Sequence, residues 1–210
     1  MRVIAPSAEL WPAPDGQAAL DHIERCGRVC YQSGHRIGPG TALEFARMVL
    51  RRGHESVLEH VSATVRFVCD RGVTHEIVRH RIASYSQEST RYCNYREGQA
   101  GRGITVVRPF YLEEGTPAWE AWHDACQRAE DAYFRLLDEG RSPQEARAVL
   151  PGSLKAELVM TANFRAWRHF FRLRADPAAH PQMREVACPL LAQFRAAVPV
   201  VFDDVGSPAP

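Results

Sequence analysis

At 210 residues the chain is long enough to close its own core without disulfides or a structural metal, and it fits one domain spanning 1–210. Hydrophobic residues make up 45% and charged residues 24%, a balance that excludes long disordered tracts, and a net charge of +1 gives the whole protein no polyanion-binding character. No apolar run approaches the roughly 20 residues of a membrane helix, and Met1 to Pro6 lacks the apolar stretch of a signal peptide, so the expected location is cytoplasmic.

In chain order, a short strand is expected at Arg2 to Ala5, then a Pro-rich turn and helices near Gly16 to Tyr31 and Thr41 to Arg52. Thr41 with Glu44 has the spacing of a capping box, and Gly53 reads as the helix stop. Val61, Ala63, Val65, Phe67 and Cys69 alternate with Ser62, Thr64 and Arg66, the period-two pattern of a half-buried strand that Gly72 breaks. A short helix from Val73 runs into Arg79, His80 and Arg81; residues 97–103 read as a loop, and Ile104 to Val107 as a strand.

Thr116 and Pro117 open a helix with Trp119, Trp122, Cys126, Ala129, Tyr133 and Leu136 on one stripe, closed by Gly140. That stripe reads as core or subunit contact. Ser142 and Glu145 form a second capping box on a short helix carrying Arg147. Ala156, Leu158, Met160, Ala162 and Phe164 alternate as a strand whose other face carries Asn163 and Arg165, with a helix from Ala166 and another over about Pro181 to Ala197. Interspersed strands and helices give an α/β class of α+β character.

The six cysteines show no paired spacing and read as free buried thiols, with Cys26 and Cys30 in core packing. No metal site is expected.

Three clusters have chemical potential. Arg79, His80, Arg81, Ser89 and Arg91 lie close together with Gln87, Glu88 and Thr90; guanidiniums, hydroxyls and backbone N–H groups suit a phosphorylated small molecule, while a solvated helix exit explains the same residues equally well. Asn163, Arg165, His169 and Arg174 form a second group able to converge on a planar polar ligand, with Trp167, Phe170 and Phe171 read as core and Arg168 and Arg172 as an exposed face. His54, Glu55 and Ser56 follow Gly53, and the His54 to His60 spacing does not fit zinc. No Walker loop, dinucleotide-binding glycine turn or nucleophile elbow is present, so any dinucleotide must be held without a Rossmann turn.

Arg79-His80-Arg81, seven residues and then Ser89, with Arg91 behind it, resembles the signature of flavin-dependent thymidylate synthases. Gly53-His54-Glu55, Arg147 before Leu150-Pro151, Asn163 and Arg165, and Arg174-Ala175-Asp176 resemble that family in order and spacing. The resemblance implies a single domain of the thymidylate synthase-complementing type, with a mixed or antiparallel central sheet flanked by helices. It implies reductive methylation of dUMP to dTMP, with methylenetetrahydrofolate supplying the carbon and NADPH the reducing equivalents through bound FAD, in a homotetramer with active sites at subunit interfaces. No metal, nucleic acid or membrane partner is implied.

Carried over residue by residue, the resemblance places Ser56, Arg79, His80, Arg81, Gln87, Asn163, Arg165 and His169 around FAD. It places Glu76, Arg79, Gln87, Glu88, Ser89, Thr90, Arg91, Arg147 and Arg174 around dUMP. Arg174 is assigned to stabilising the ionised N3 side of uracil, which makes C5 nucleophilic, and His54 to the folate and flavin side. Two positions depart: Glu76 stands where some members have Gln, and His169 where some have Asn. The competing readings are a non-enzymatic nucleotide or RNA-binding module built on the arginines, and a conventional synthase using Cys93 as nucleophile.

Overall fold

The computed structural model describes residues 1–96 and 103–206, so the expected loop at 97–103 lies outside the described residues except for Gly103. The two alternating segments form the long strands. β3 (Ser62–Asp70) buries Ala63, Val65, Phe67 and Cys69, and β6 (Lys155–Asn163) buries Ala156, Leu158, Met160 and Ala162, each showing every second residue to the core. They lie side by side in a four-stranded sheet of order β2-β3-β6-β4, where β2 is Ser7–Leu10 and β4 is Ser84–Gln87. A second sheet pairs β1 (Arg2–Ile4) in parallel with β5 (Thr105–Val107), Val3 opposite Val106. With seven α-helices interleaved among the described residues, the class is mixed α/β.

The helices start and stop where local chemistry directs. α1 (Gly16–Val29) is capped by Asp15, whose carboxylate accepts the Ala18 N–H at 3.0 Å. α2 (Thr41–Arg51) corrects the expected capping box: Gly40, at φ 79°, holds the N-cap position, and the Thr41 hydroxyl lies 2.8 Å from Glu24 and 2.9 Å from the Gly38 carbonyl. Gly53 stops α2 at φ 69°, a conformation that favours glycine. α3 (Arg71–Ile77) is capped by Asp70 on the Val73 N–H, which is why β3 turns directly into a helix. α4 (Pro117–Asp138) runs from the Thr116 cap, and α5 (Pro143–Ala146) carries the expected box, Glu145 accepting from both the Ser142 N–H and hydroxyl. α6 (Phe164–Arg174) begins earlier than Ala166 because Asn163 caps it through the Ala166 N–H at 2.8 Å, so Arg165 belongs to a helix and not to a strand face. α7 spans Pro181–Ala197.

Contacts divide the chain into two units. One comprises residues 1–7, 67–79 and 86–158; Ile104, Val106, Cys126 and Leu154 form one part of its core, and Tyr133, Phe134 and Ala146 another. The other comprises 8–66, 80–85 and 159–210, and its core is aromatic: Phe164, Trp167, Phe170, Phe171, Phe194 and Phe202 are all fully buried. Trp167 touches Phe170, Phe171 and Phe194 at centroid distances of 5.2, 5.8 and 5.1 Å.

The cysteines are free, as expected, but only Cys69 and Cys126 are buried; Cys30 and Cys188 are exposed. Cys26 faces His22 one turn away at 3.5 Å instead of entering the core. No helix among the described residues is long and apolar enough to cross a membrane.

Candidate functional site

In the first unit the site residues follow α3. Thr74 is fully buried, and its hydroxyl, bonded to the Arg71 carbonyl, also meets the Gln87 amide at 3.2 Å, so α3 orients Gln87. Next comes a tight turn: the Ser89 carbonyl accepts from Tyr92 and Cys93, and its hydroxyl accepts the Arg91 N–H at 3.2 Å. Glu88 points elsewhere. Its carboxylate accepts from Lys155 Nζ at 2.7 Å and from the Glu157 N–H at 3.3 Å, with Tyr95 at 3.4 Å. Burial works against the Lys155 ammonium, but its bonds to Glu88 and Glu157 outweigh that and raise its pKa.

Arg91 donates through Nε to Gln144 of α5 at 3.0 Å. Arg147 opens the 3-10 turn Arg147–Val149 that directly follows α5, so Gln144 ties Arg91 to the element that presents Arg147. The guanidiniums of Arg79 and Arg147 are exposed and have no acidic partner among the described residues. Thr90 is buried, and Glu76 is half-buried with its carbonyl accepting from Arg79.

In the second unit His80 is the centre. Arg174 Nε donates to His80 Nε2 at 3.0 Å, which places the imidazole proton on Nδ1. The ring packs against Phe170 at 4.9 Å and faces His169 at 5.7 Å, and its carbonyl accepts from the Tyr85 hydroxyl at 2.6 Å. Burial first, then the charges at Arg174 and His169, push the His80 pKa down to about 4, so the ring is neutral near pH 7. Arg81 and His169 are exposed. Asn163 is committed through its oxygen to the α6 cap, and Arg165 pairs with Glu59 at 2.5 Å.

His54 and Ser56 line one cavity of about 1100 Å³ formed by α1, α2 and the residues joining them. Phe45, Met48, Val49 and Val57 give it an apolar floor, while Arg36 and Arg52 add cations. Between these two residues, Glu55 turns the other way, into a cluster that sequence reasoning missed. Arg168, expected on an exposed face, is only 1% exposed and is held by Glu55 and Asp204; Arg172 does lie at the surface, bonded to Glu55 at 2.8 Å. Helical periodicity cannot reveal this burial, because the acidic partners lie 113 and 36 residues away.

Thus the structure brings His80, His169 and Arg174 together, and Arg91 together with α5, and it puts His54 and Ser56 on one cavity wall. It directs the Asn163 and Glu88 side chains to structural partners. Among the described residues no group of three His, Cys, Asp or Glu side chains is arranged to hold a metal ion.

A family model described as thymidylate synthase complementing protein matches residues 16–200. The flavin-dependent thymidylate synthase of Mycolicibacterium vanbaalenii is 38% identical, with 90% of this chain and 80% of that protein covered. That of Geobacter sulfurreducens is 34% identical, covering 95% and 86%. The crystal structure of the UMP/dUMP methylase PolB from Streptomyces cacaoi, bound with 5-Br dUMP, matches with a TM-score of 0.79 at 26% identity, covering 97% of this chain and 96% of that one. With the R-H-R segment, its serine and the distant arginines all in place, the chain belongs to the family of flavin-dependent thymidylate synthases, the thymidylate synthase complementing proteins.

Proposed function

We propose that the protein converts dUMP to dTMP by reductive methylation, using methylenetetrahydrofolate as carbon donor and NADPH as reductant through FAD and releasing tetrahydrofolate. Family membership supports the reaction, and one observation supports the residue roles: Arg174 is held on the neutral His80 of the R-H-R segment. The uracil nucleotide carried by PolB agrees with this substrate class.

The residues suit a flavin dinucleotide. A cavity of about 1100 Å³ with an apolar floor has the character of a cofactor site, and the Arg36 and Arg52 guanidiniums on its wall suit a pyrophosphate. Ser56, Arg79, His80, Arg81, Gln87, Asn163, Arg165 and His169 are assigned to FAD, and His54, on the same wall as Ser56, to the folate and flavin side. Asn163 has its amide N–H groups to offer, since its oxygen caps α6. FAD, when bound, supplies the hydride chemistry.

Glu76, Arg79, Gln87, Glu88, Ser89, Thr90, Arg91, Arg147 and Arg174 are assigned to dUMP. Arg91 and Arg147, tied through α5, present guanidiniums to the phosphate. Glu88 serves through its backbone, its carboxylate being paired with Lys155. Arg174, oriented by His80, places positive charge where uracil N3 ionises; this raises electron density at C5 and requires no protein nucleophile. In this reading four copies assemble with their active sites at subunit interfaces, in the cytoplasm, and residues 1–210 act as one domain.

Tritium release from 5-labelled dUMP, with NADPH and FAD omitted in turn, tests the reaction. Release should require both, and release independent of both overturns it. For the roles, Arg174→Ala should abolish turnover with FAD retained, whereas Arg165→Ala should weaken FAD; unchanged turnover in the first refutes its assignment.

A further inference from the structure

Arg168 is buried, and its whole hydrogen-bonding capacity is used. A guanidinium has five N–H donors, and all five are engaged. Nε and Nη2 donate to the same Glu55 oxygen at 3.2 and 3.0 Å, Nη1 and Nη2 donate to the two Asp204 oxygens at 2.6 and 2.7 Å, and Nη1 also bonds the Val201 carbonyl. Glu55 accepts a further bond from Arg172 at 2.8 Å. One buried cation therefore ties three stretches together: the 3-10 turn Glu55–His60, helix α6 and the segment around 201–204.

The last of these stretches is itself fastened. Val201, Phe202 and Val205 are buried, Phe202 packs on Phe194 at 4.8 Å, and Arg195 Nη2 donates to the Val205 carbonyl at 2.5 Å. Just before it, Val200 has φ 66°, a conformation a β-branched residue adopts only when its surroundings impose it. The chain is bent there, and the bend delivers the Val201 carbonyl and Asp204 to Arg168.

The position of Glu55 gives the cluster a function. Its neighbours His54 and Ser56 both line the cavity described above, whereas its own carboxylate faces away into the cluster. Arg168 is likewise next to His169, whose ring faces His80. We infer that Arg168 is a positioning residue: through Glu55 and Asp204 it fixes the cavity wall bearing His54 and Ser56 against α6, and so sets the affinity of the flavin side of the site. This rests on the proposal that the His54 and Ser56 wall receives the flavin. At 1% exposed and bonded to Glu55, Asp204 and the Val201 carbonyl, Arg168 acts through these partners and not by offering its own surface to a ligand. Burial works against charge on both Glu55 and Arg168, yet their hydrogen bonds hold Glu55 below and Arg168 above the ordinary range, so the cluster stays ionised at neutral pH.

Removing the buried guanidinium endangers the fold itself, so the test alters its acidic partners in the full-length protein. Asp204 is 58% exposed on its side chain, and Asp204→Asn and Glu55→Gln keep the shape of each group while removing its charge. Flavin fluorescence titration should show FAD binding about tenfold weaker in each, by analogy with the loss of metal affinity when a partner orienting a metal ligand is removed. The melting temperature, followed alongside, should stay well above the assay temperature, and Asp204→Glu should restore part of the affinity. Ser56→Trp, which fills the cavity directly, should abolish FAD binding. If Ser56→Trp blocks FAD while both charge variants bind it as the parent does and only melt earlier, the cluster is merely structural and the inference fails. If Ser56→Trp binds FAD normally, the placement of the flavin on this wall fails, and the inference with it.

Discussion

Arg174 Nε donates to His80 Nε2 at 3.0 Å, and because this bond needs an unprotonated nitrogen, the orientation of the arginine depends on the charge state of the histidine. Burial and the neighbouring charges at Arg174 and His169 take the His80 pKa from 6.5 to about 4. The linkage has a definite sign: the folded state binds fewer protons than the unfolded one between those two values. Its stabilising contribution is complete above about 6.5, declines as the pH falls and is gone below about 4. His80→Gln, which keeps an acceptor but does not titrate, should flatten the fall in urea midpoint between pH 6.5 and 4. Parallel midpoint curves for parent and variant would show that His80 does not govern that window.

Lys155 is the only lysine in the chain, and it stands between two acids, 2.7 Å from Glu88 and 3.1 Å from Glu157. Lys155→Met removes the cation and leaves both carboxylates in mutual repulsion beside Gln87 and Ser89. Breaking a partly buried pair on one side costs about 1–3 kcal/mol. The turn at Ser89 to Cys93 should loosen, raising the KM for dUMP several-fold while FAD binding stays as in the parent. Steady-state kinetics with a parallel flavin titration separates the two, and an unchanged KM refutes the coupling.

What was legible in the sequence follows from the range of the forces involved. β3 and β6 declared themselves because every second residue is apolar and every second residue is buried. α7 and the Ser142 capping box were readable because their signals lie within a turn. β4 was not readable: Ser84 to Gln87 has no apolar alternation and is a strand only because β6 pairs with it, as when the Glu88 N–H reaches the Glu157 carbonyl at 2.8 Å. Thr41 and Arg168 were misread for related reasons. A glycine able to adopt φ 79° displaced the expected cap in the first case, and two acids distant in sequence drew the second into the interior. The separation of Arg174 from His80 by 94 residues likewise leaves no local trace, and the family resemblance alone linked them to one reaction.

Gly27 permits the close approach of α1 and α2. A Cβ there would lie 2.4 Å from the Phe45 ring, too close for any real contact, and Phe45 forms part of the cavity floor. The ring is half-buried and borders open space, so Gly27→Ala should drive it into the cavity instead of breaking the helix pair. Flavin affinity should fall more than stability does, and Phe45→Leu placed in the same chain should restore much of it. A double variant binding FAD no better than Gly27→Ala would refute the steric route.

Trp167 provides a test of the aromatic core that holds α6 in place. Its indole N–H donates to the Ala63 carbonyl at 3.0 Å, and its ring, stacked on Phe171, is fully buried. Trp167→Phe preserves most of the packing but leaves a buried carbonyl short of a donor, a loss of about 1–3 kcal/mol. Trp167→Ala adds a cavity and should cost about 3–5 kcal/mol. Because Arg174 and His169 ride on the same helix, both variants should also lower turnover below the temperature at which they unfold. Urea denaturation measures the first effect and initial rates the second. Equal losses of stability in the two variants would mean that the hydrogen bond, and not the ring, anchors α6 to β3.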